Sequence, residues 1–257
     1  MIKVVKIGGN VVDDQQALES FCKDFAALEG PKVLVHGGGA VANHIQKALG
    51  QEPIKIAGRR VTDAETLKVV TMVYSGLCNK SIAALLQKDG CNAIGLSGCD
   101  GNVICAKKRA PLMIDGEPVD FGFVGDVTES SVNADFLKSL IAQGITPVLC
   151  AINHDGEGNL LNTNADTIAS SVAIALGAEL IYCFEKDGVL MDKDDNSSII
   201  PTITYDSYIE LKAKGIIADG MIPKLDNAFK AMSKGAGNVT IKNASNLLNE
   251  TGTTLCR

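Results

Sequence analysis

Short apolar runs alternate with amphipathic stretches along this chain, and the alternation begins at once. Lys3-Val4-Val5-Lys6-Ile7 is rich in β-branched residues and ends abruptly at Gly8-Gly9. Lys32-Val33-Leu34-Val35-His36 repeats the pattern and ends at Gly37-Gly38-Gly39. Such runs, closed by glycine, predict buried strands followed by tight turns. Between them Ala17, Leu18, Phe21, Phe25 and Leu28 fall at helical spacing, and Gly30-Pro31 stops a helix predicted over Gln15 to Glu29. A second helix is expected from about Val41 to Leu49. Two strand–glycine–helix units in succession imply a parallel sheet with helices on its faces.

The pattern continues through the chain. Thr62-Asp63-Ala64-Glu65 has capping-box spacing and opens a long helical stretch to about Asp89. A strand over Cys91–Leu96 leads into the small-residue loop Ser97–Gly101. From Val103 to Val127 short strands broken by Pro111, Asp115-Gly116, Pro118 and Gly122 predict a hairpin insertion. A helix over Ala134–Gln143 and a strand over Thr146–Ile152 follow. The turn His154–Gly158 divides a single domain into a lobe of residues 1–157 and a lobe of residues 158–257. The second lobe is expected to hold a helix at Thr167–Leu176, a strand at Glu179–Phe184, helices near Tyr205–Lys214 and Lys224–Lys234, and a strand at Asn238–Lys242.

Composition narrows the function. The 257 residues are 46% hydrophobic, enough for a substantial core. A net charge of −6 with no Lys/Arg block argues against a nucleic-acid partner. Aromatics at 4%, with no tryptophan, argue against a base-stacking platform. No apolar run approaches the roughly 18 residues of a membrane span. The eight cysteines form no CxxC pair and sit mostly in apolar runs, as buried hydrophobes do in a reducing cytoplasm.

Glycines at the carboxyl end of a parallel strand let an anion approach backbone N–H groups, so both glycine corners suggest phosphate handling. Two common nucleotide motifs do not account for them. Lys80-Ser81 follows Asn79 rather than glycine, so a P-loop fails. Gly37-Gly38-Gly39-Ala40-Val41-Ala42 fits G-x-G-x-x-[GA], but about 20 residues on the chain reads Ala57-Gly58-Arg59-Arg60, without the acidic residue that would bind a ribose.

Five features in order point elsewhere: Lys6 before Gly8-Gly9, the His36–Gly39 turn, Gly58-Arg59-Arg60-Val61-Thr62, Asn162-Thr163-Asn164-Ala165-Asp166, and Gly215 through Lys224 (G-I-I-A-D-G-M-I-P-K). Together they resemble the amino-acid kinase family over nearly the whole chain. The resemblance is strongest to members that phosphorylate the γ-carboxylate of N-acetyl-L-glutamate with ATP in arginine biosynthesis. It implies an α/β fold, a three-layer αβα sandwich with an open, mainly parallel sheet, and a homodimer acting on small molecules. Lys6 and Lys224 would flank the transferred phosphoryl group, and Asp166 would hold the lysines in place. Gly8 and Gly9 would touch phosphates. Gly38, Gly39, Arg60 and Asn162 would bind the acylated amino acid, with Arg60 clamping a carboxylate. Glu185, Lys186, Gly188, Ile217 and Ala218 would border the nucleotide. Mg²⁺ would be held mainly by the nucleotide's phosphates, with no metal ligands assigned to the chain.

The chemistry is consistent with that set. A glutamyl γ-carboxyl, of pKa about 4.3, is already ionised at neutral pH, so the site must overcome anionic repulsion rather than remove a proton. Plainer readings stand beside each residue. Lys6 is then a surface lysine, Lys224 a helix start, Asp166 an N-cap and Arg60 a solvated charge. His36, between an apolar strand and glycines, is expected to be a packed, hydrogen-bonded imidazole. Phe184-Glu185-Lys186-Asp187 departs from the aspartate that family members carry after this strand. Only five residues precede Lys6, leaving no room for the N-terminal helix of the arginine-inhibited hexamers, so a dimer insensitive to arginine is expected. Two alternatives remain: the same reaction on another N-acylglutamate such as N-succinylglutamate, and a non-catalytic effector-binding regulator.

Overall fold

A computed structural model describes residues 1–218 and 221–256. Eight strands form one sheet: β1 (Lys3–Ile7), β2 (Lys32–His36), β3 (Ala93–Leu96), β4 (Thr146–Leu149), β5 (Glu179–Phe184), β6 (Thr202–Thr204), β7 (Val239–Asn243) and β8 (Thr253–Cys256). Their spatial order is β6-β8-β7-β5-β1-β2-β4-β3. Every neighbouring pair is parallel except β7 with β8. The family resemblance implies this mainly parallel α/β sheet, and the structure has it.

Continuous apolar runs make sense in such a sheet because helices cover both faces. Val4, Val5 and Ile7 of β1 and Val33, Leu34 and Val35 of β2 are fully buried. β1 lies in the middle, with Lys6 opposite Val35 on one side and Tyr182 on the other. Strands from residues 1–157 extend the sheet beyond β2 and strands from residues 158–257 extend it beyond β5. Ligands of open α/β sheets bind at such a switch point, outside the carboxyl ends of the strands. Gly8, Gly37 and Glu185 emerge there.

The helices differ from expectation mainly at their starts. Gly39–Ala48 begins two residues early because the glycine turn itself supplies the first turn, with Gly38 as N-cap. The cap of the long helix is Asp63, not Thr62: its carboxylate accepts from Thr66 N at 2.7 Å. Thr62 is instead buried and receives Asn162 Nδ2 on its hydroxyl at 3.0 Å. The helix runs through Lys88 with a π-helical segment at Met72–Cys78. By length and composition alone Ala64–Lys88 could cross a membrane. Counting unbroken apolar runs overlooks it, because Lys68 and Lys80 interrupt them. Its inner face, Val69, Val70, Val73, Ile82 and Leu86, is buried in the core.

The insertion is present as ribbons, Leu112–Ile114 with Glu117–Val119 and Lys107–Lys108 with Gly125–Asp126. The turn at His154–Gly158 closes an antiparallel hairpin between Ile152–His154 and Leu160–Asn162. The strand predicted over Thr146–Ile152 therefore splits into β4 and the first arm of this hairpin. Strands β6 and β8, absent from the sequence expectation, complete one edge.

Candidate active site

Lys6 occupies the penultimate position of β1 and is 7% exposed. A buried ammonium needs a counter-charge, and Asp166 supplies it with Oδ1 2.7 Å from Nζ. The Asn162–Asp166 motif explains how that carboxylate is aimed. Asn162 ends the hairpin arm Leu160–Asn162, and Asn164 caps helix Ala165–Leu176 by accepting from Asp166 N at 2.8 Å and Thr167 N at 3.1 Å. Asp166 is thus in the first helical turn but is not the cap. The Tyr182 hydroxyl donates to the Asp166 carbonyl at 3.2 Å and steadies the same turn.

Lys224 enters from helix Met221–Ser233. Its ammonium lies over the Phe184 ring, 3.8 Å from the centroid. Burial pulls its pKa below the ordinary lysine range; Lys6 adds to that pull, while Asp166 and Glu185 oppose it. Asp219 and Gly220, the middle of the block expected to lead into Lys224, lie outside the described residues.

Two cavities meet at Asp166 and Lys224, which line both. The first, about 640 Å³, is bordered by Lys6, Gly8, Gly9, Glu185, Lys186 and Gly188. It is also bordered by residues that were not expected: Asn10, Phe184 and the loop Asn243-Ala244-Ser245. Asn10 Nδ2 donates to Glu185 Oε1, and Asn243 Nδ2 donates to the Glu185 carbonyl at 2.8 Å, so the β1, β5 and β7 ends are stitched together. Ile217 and Ala218 do not line this cavity; Ile217 is buried in the core. A carboxamide after a glycine pair is a recognisable polar candidate, whereas Phe184 gives no signal beyond apolarity.

The second cavity, about 630 Å³, gathers Gly38, Gly39, Arg60 and Asn162 as expected. Gly38 has φ +151°, and a Cβ there would come within 3.0 Å of the Tyr74 ring and 3.1 Å of Cys78 Sγ. Only glycine lets this turn lie flat on the long helix. Arg60 is held against the turn: Nη1 donates to Gln46 Oε1 at 2.8 Å, and Nη2 donates to the Gly39 carbonyl at 3.0 Å and to Asn43 Oδ1. Both Nη2 hydrogens are committed, so a carboxylate would draw on Nη1 or Nε, or displace Asn43, instead of meeting an idle fork. Arg109, from the insertion, also borders the cavity; it pairs with Asp126 through Nε at 2.9 Å and through Nη2.

Behind the turn, His36 is fully buried, with Nδ1 2.7 Å from the Gly37 carbonyl and Nε2 3.0 Å from Asn79 Nδ2. Burial depresses its pKa to about 4, so it is neutral near pH 7. Nδ1–H donates to the carbonyl, leaving Nε2 to accept from Asn79. The packed imidazole expected from the sequence is what the structure has. Asp13 ties the two corners together by accepting from Val41 N at 3.2 Å.

Two cationic side chains bracketing a carboxylate, between a glycine-floored cavity and an arginine-walled one, define a site for moving an anionic group from one ligand to another. The family model for the amino acid kinase family matches residues 1–243, and the chain belongs to that family. It is 53% identical over 249 residues to the acetylglutamate kinase of Cytophaga hutchinsonii, covering 95% of this chain and 92% of that one. Against the acetylglutamate kinase of Phocaeicola vulgatus the identity is 51% over 258 residues, covering 99% and 98%. Among solved structures, smu.665 from Streptococcus mutans superposes with a TM-score of 0.78 at 29% identity, covering 99% of this chain and 98% of that one.

Proposed function

We propose that this chain is an ATP-dependent kinase that phosphorylates the γ-carboxylate of N-acetyl-L-glutamate to an acyl-phosphate, in arginine biosynthesis. The observation that carries the reading is Lys6–Asp166 with Lys224, placed where the two cavities meet. The acceptor carboxylate attacks the γ-phosphorus, and the bond to the β–γ bridging oxygen breaks to release ADP. No proton moves, because the acceptor is already ionised. Lys6 and Lys224 offset the negative charge shared by attacking, transferred and leaving oxygens, and Asp166 fixes their separation without acting as a base. Gly8 and Gly9 offer backbone N–H groups to the phosphates. Glu185, Lys186 and Gly188 border the nucleotide, and Gly38, Gly39, Arg60 and Asn162 hold the acylated amino acid.

The first cavity has the size and cationic floor for a triphosphate. Mg²⁺ would arrive on the nucleotide's phosphates and supply charge neutralisation there. In this reading residues 1–157 carry the acceptor and the dimer contact and residues 158–257 the nucleotide, with β1 lending Lys6, Gly8 and Gly9 across that division. A homodimer is supported by Met72 and Leu77, exposed on the outer face of helix Ala64–Lys88. The free cysteines, five of the eight buried, fit a reducing cytoplasm.

A coupled ADP-release assay with N-acetyl-, N-succinyl- and free glutamate and with aspartate tests the reaction. Turnover with N-acetylglutamate is expected, and no turnover with any of the four overturns it. Arg109 favours a second reading in which a longer, carboxylate-bearing acyl group is preferred, since it borders the acceptor cavity and its pair with Asp126 uses Nε and Nη2, not Nη1. A higher kcat/KM for N-succinylglutamate would select that reading. A non-catalytic regulator predicts no turnover for Lys6→Ala to abolish.

A further inference from the structure

The two lysines of the clamp are held by different chemistry. Lys6 has the Asp166 carboxylate. Lys224 has no hydrogen bond or ion pair among the described residues, and its direct polar contact is the face of Phe184, 3.8 Å from Nζ to the centroid. The same ring lies 5.6 Å from Lys6 Nζ. It is itself fixed by stacking on Tyr182, with centroids 5.7 Å apart and planes at 16°. Tyr182 and Phe184 are two residues apart on β5 and share a face of the strand, so the stack is set by the pleat. The departure noted in the sequence, Phe184-Glu185-Lys186, therefore begins at the ring that faces both lysines.

We propose that the Phe184 ring is a positioning residue for Lys224, holding its ammonium over the junction of the two cavities by cation–π attraction. This inference rests on the proposed role of Lys224 in phosphoryl transfer. An aromatic face suits the task for a physical reason. A second carboxylate would fix Lys224 equally well, but it would cancel the charge that the phosphoryl oxygens need. The ring's quadrupole attracts the ammonium and leaves its full charge to meet the nucleotide. Four influences reach Nζ: burial and Lys6 on β1 disfavour its charge, whereas Asp166 on helix Ala165–Leu176 and Glu185 after β5 favour it. The ring adds to the favourable side. Weakening the ring should then let Lys224 lose its proton at lower pH, which moves the alkaline limb of the rate profile downward.

The test replaces Phe184 with phenylalanines carrying successively more ring fluorines, which keep the shape and drain the quadrupole. Phe184→Leu and Phe184→Tyr are made alongside. Expected are a graded fall in kcat, reaching about 3- to 30-fold, with KM for the acylglutamate unchanged. The alkaline limb should step to lower pH along the series, Phe184→Leu should behave like the most fluorinated ring, and Phe184→Tyr should keep most of the rate. A flat series in both kcat and alkaline limb overturns the proposal. So does a rise in KM for ATP at constant kcat, which would make the ring a wall for the base. Lys224→Ala is assayed in parallel. If it turns over normally, the clamp itself is wrong and the ring inference falls with it. If it is inactive while the fluorine series is flat, only the ring inference falls.

Discussion

An ammonium as shielded as that of Lys6 is costly to bury without a counter-charge, and here a single carboxylate oxygen meets it at 2.7 Å. Lys6→Ala is accordingly expected to lower kcat by about 100-fold or more, through loss of preorganised charge, with an unchanged far-UV spectrum. A variant retaining most of its turnover would remove Lys6 from the reaction. Arg60→Ala should mainly raise KM for the acylglutamate, by about 10- to 100-fold if one charge-assisted contact is lost; an unchanged KM would take Arg60 out of the acceptor site. Lys6, Asp166 and Lys224 were legible in the sequence because their blocks combine unusual residues in a fixed order. Phe184 was not. An apolar residue on a buried strand looks the same whether it faces the core or a pair of lysines, and only the stacking of β5 against its neighbours decides which.

At the level of single elements, helix Ala165–Leu176 shows how a cap can serve chemistry. Asn164 accepts two N–H groups, one of them from Asp166 itself. Asn164→Ala should cost about 1 kcal/mol, seen as a fall in Tm of about 2–4 °C. It should also lower kcat, because the aim of the carboxylate depends on that turn; a Tm loss with full kcat would separate cap from site. Existence and type of the long elements followed from periodicity, whereas their ends did not. Asp63 took the capping role from Thr62 because Thr62 is drawn into the core by Asn162, a partner 100 residues away in sequence. Strands β6 and β8 were missed for a related reason. They are three and four residues long, and their place at the sheet edge comes from β8 pairing with both β7 and β6 rather than from a pattern of their own.

For the whole molecule, pH acts through His36. The folded chain keeps this imidazole neutral down to about 4, whereas in the unfolded chain it titrates near 6.5. Between those values the unfolded state binds the extra proton, so stability is fully present above about pH 6.5 and falls by about 3 kcal/mol as pH drops to 4. Denaturant midpoints measured across that window should show the slope, and His36→Gln should flatten it. Light scattering should give a dimer that Leu77→Lys converts to monomer, if the exposed face of Ala64–Lys88 is the contact. The position of β1 has one more consequence, and it concerns time. Lys6 leaves the ribosome well before its partners, yet its strand needs β5 on one side and β2 on the other. Its counter-charge and its partner lysine follow roughly 160 and 220 residues later. Loop closure over such separations is slow. Most of the chain must therefore emerge before the first strand can be flanked on both sides, and no partly made chain holds a working clamp. Refolding followed by activity should lag behind the recovery of helix, and catalytic competence becomes a report that the chain has finished folding.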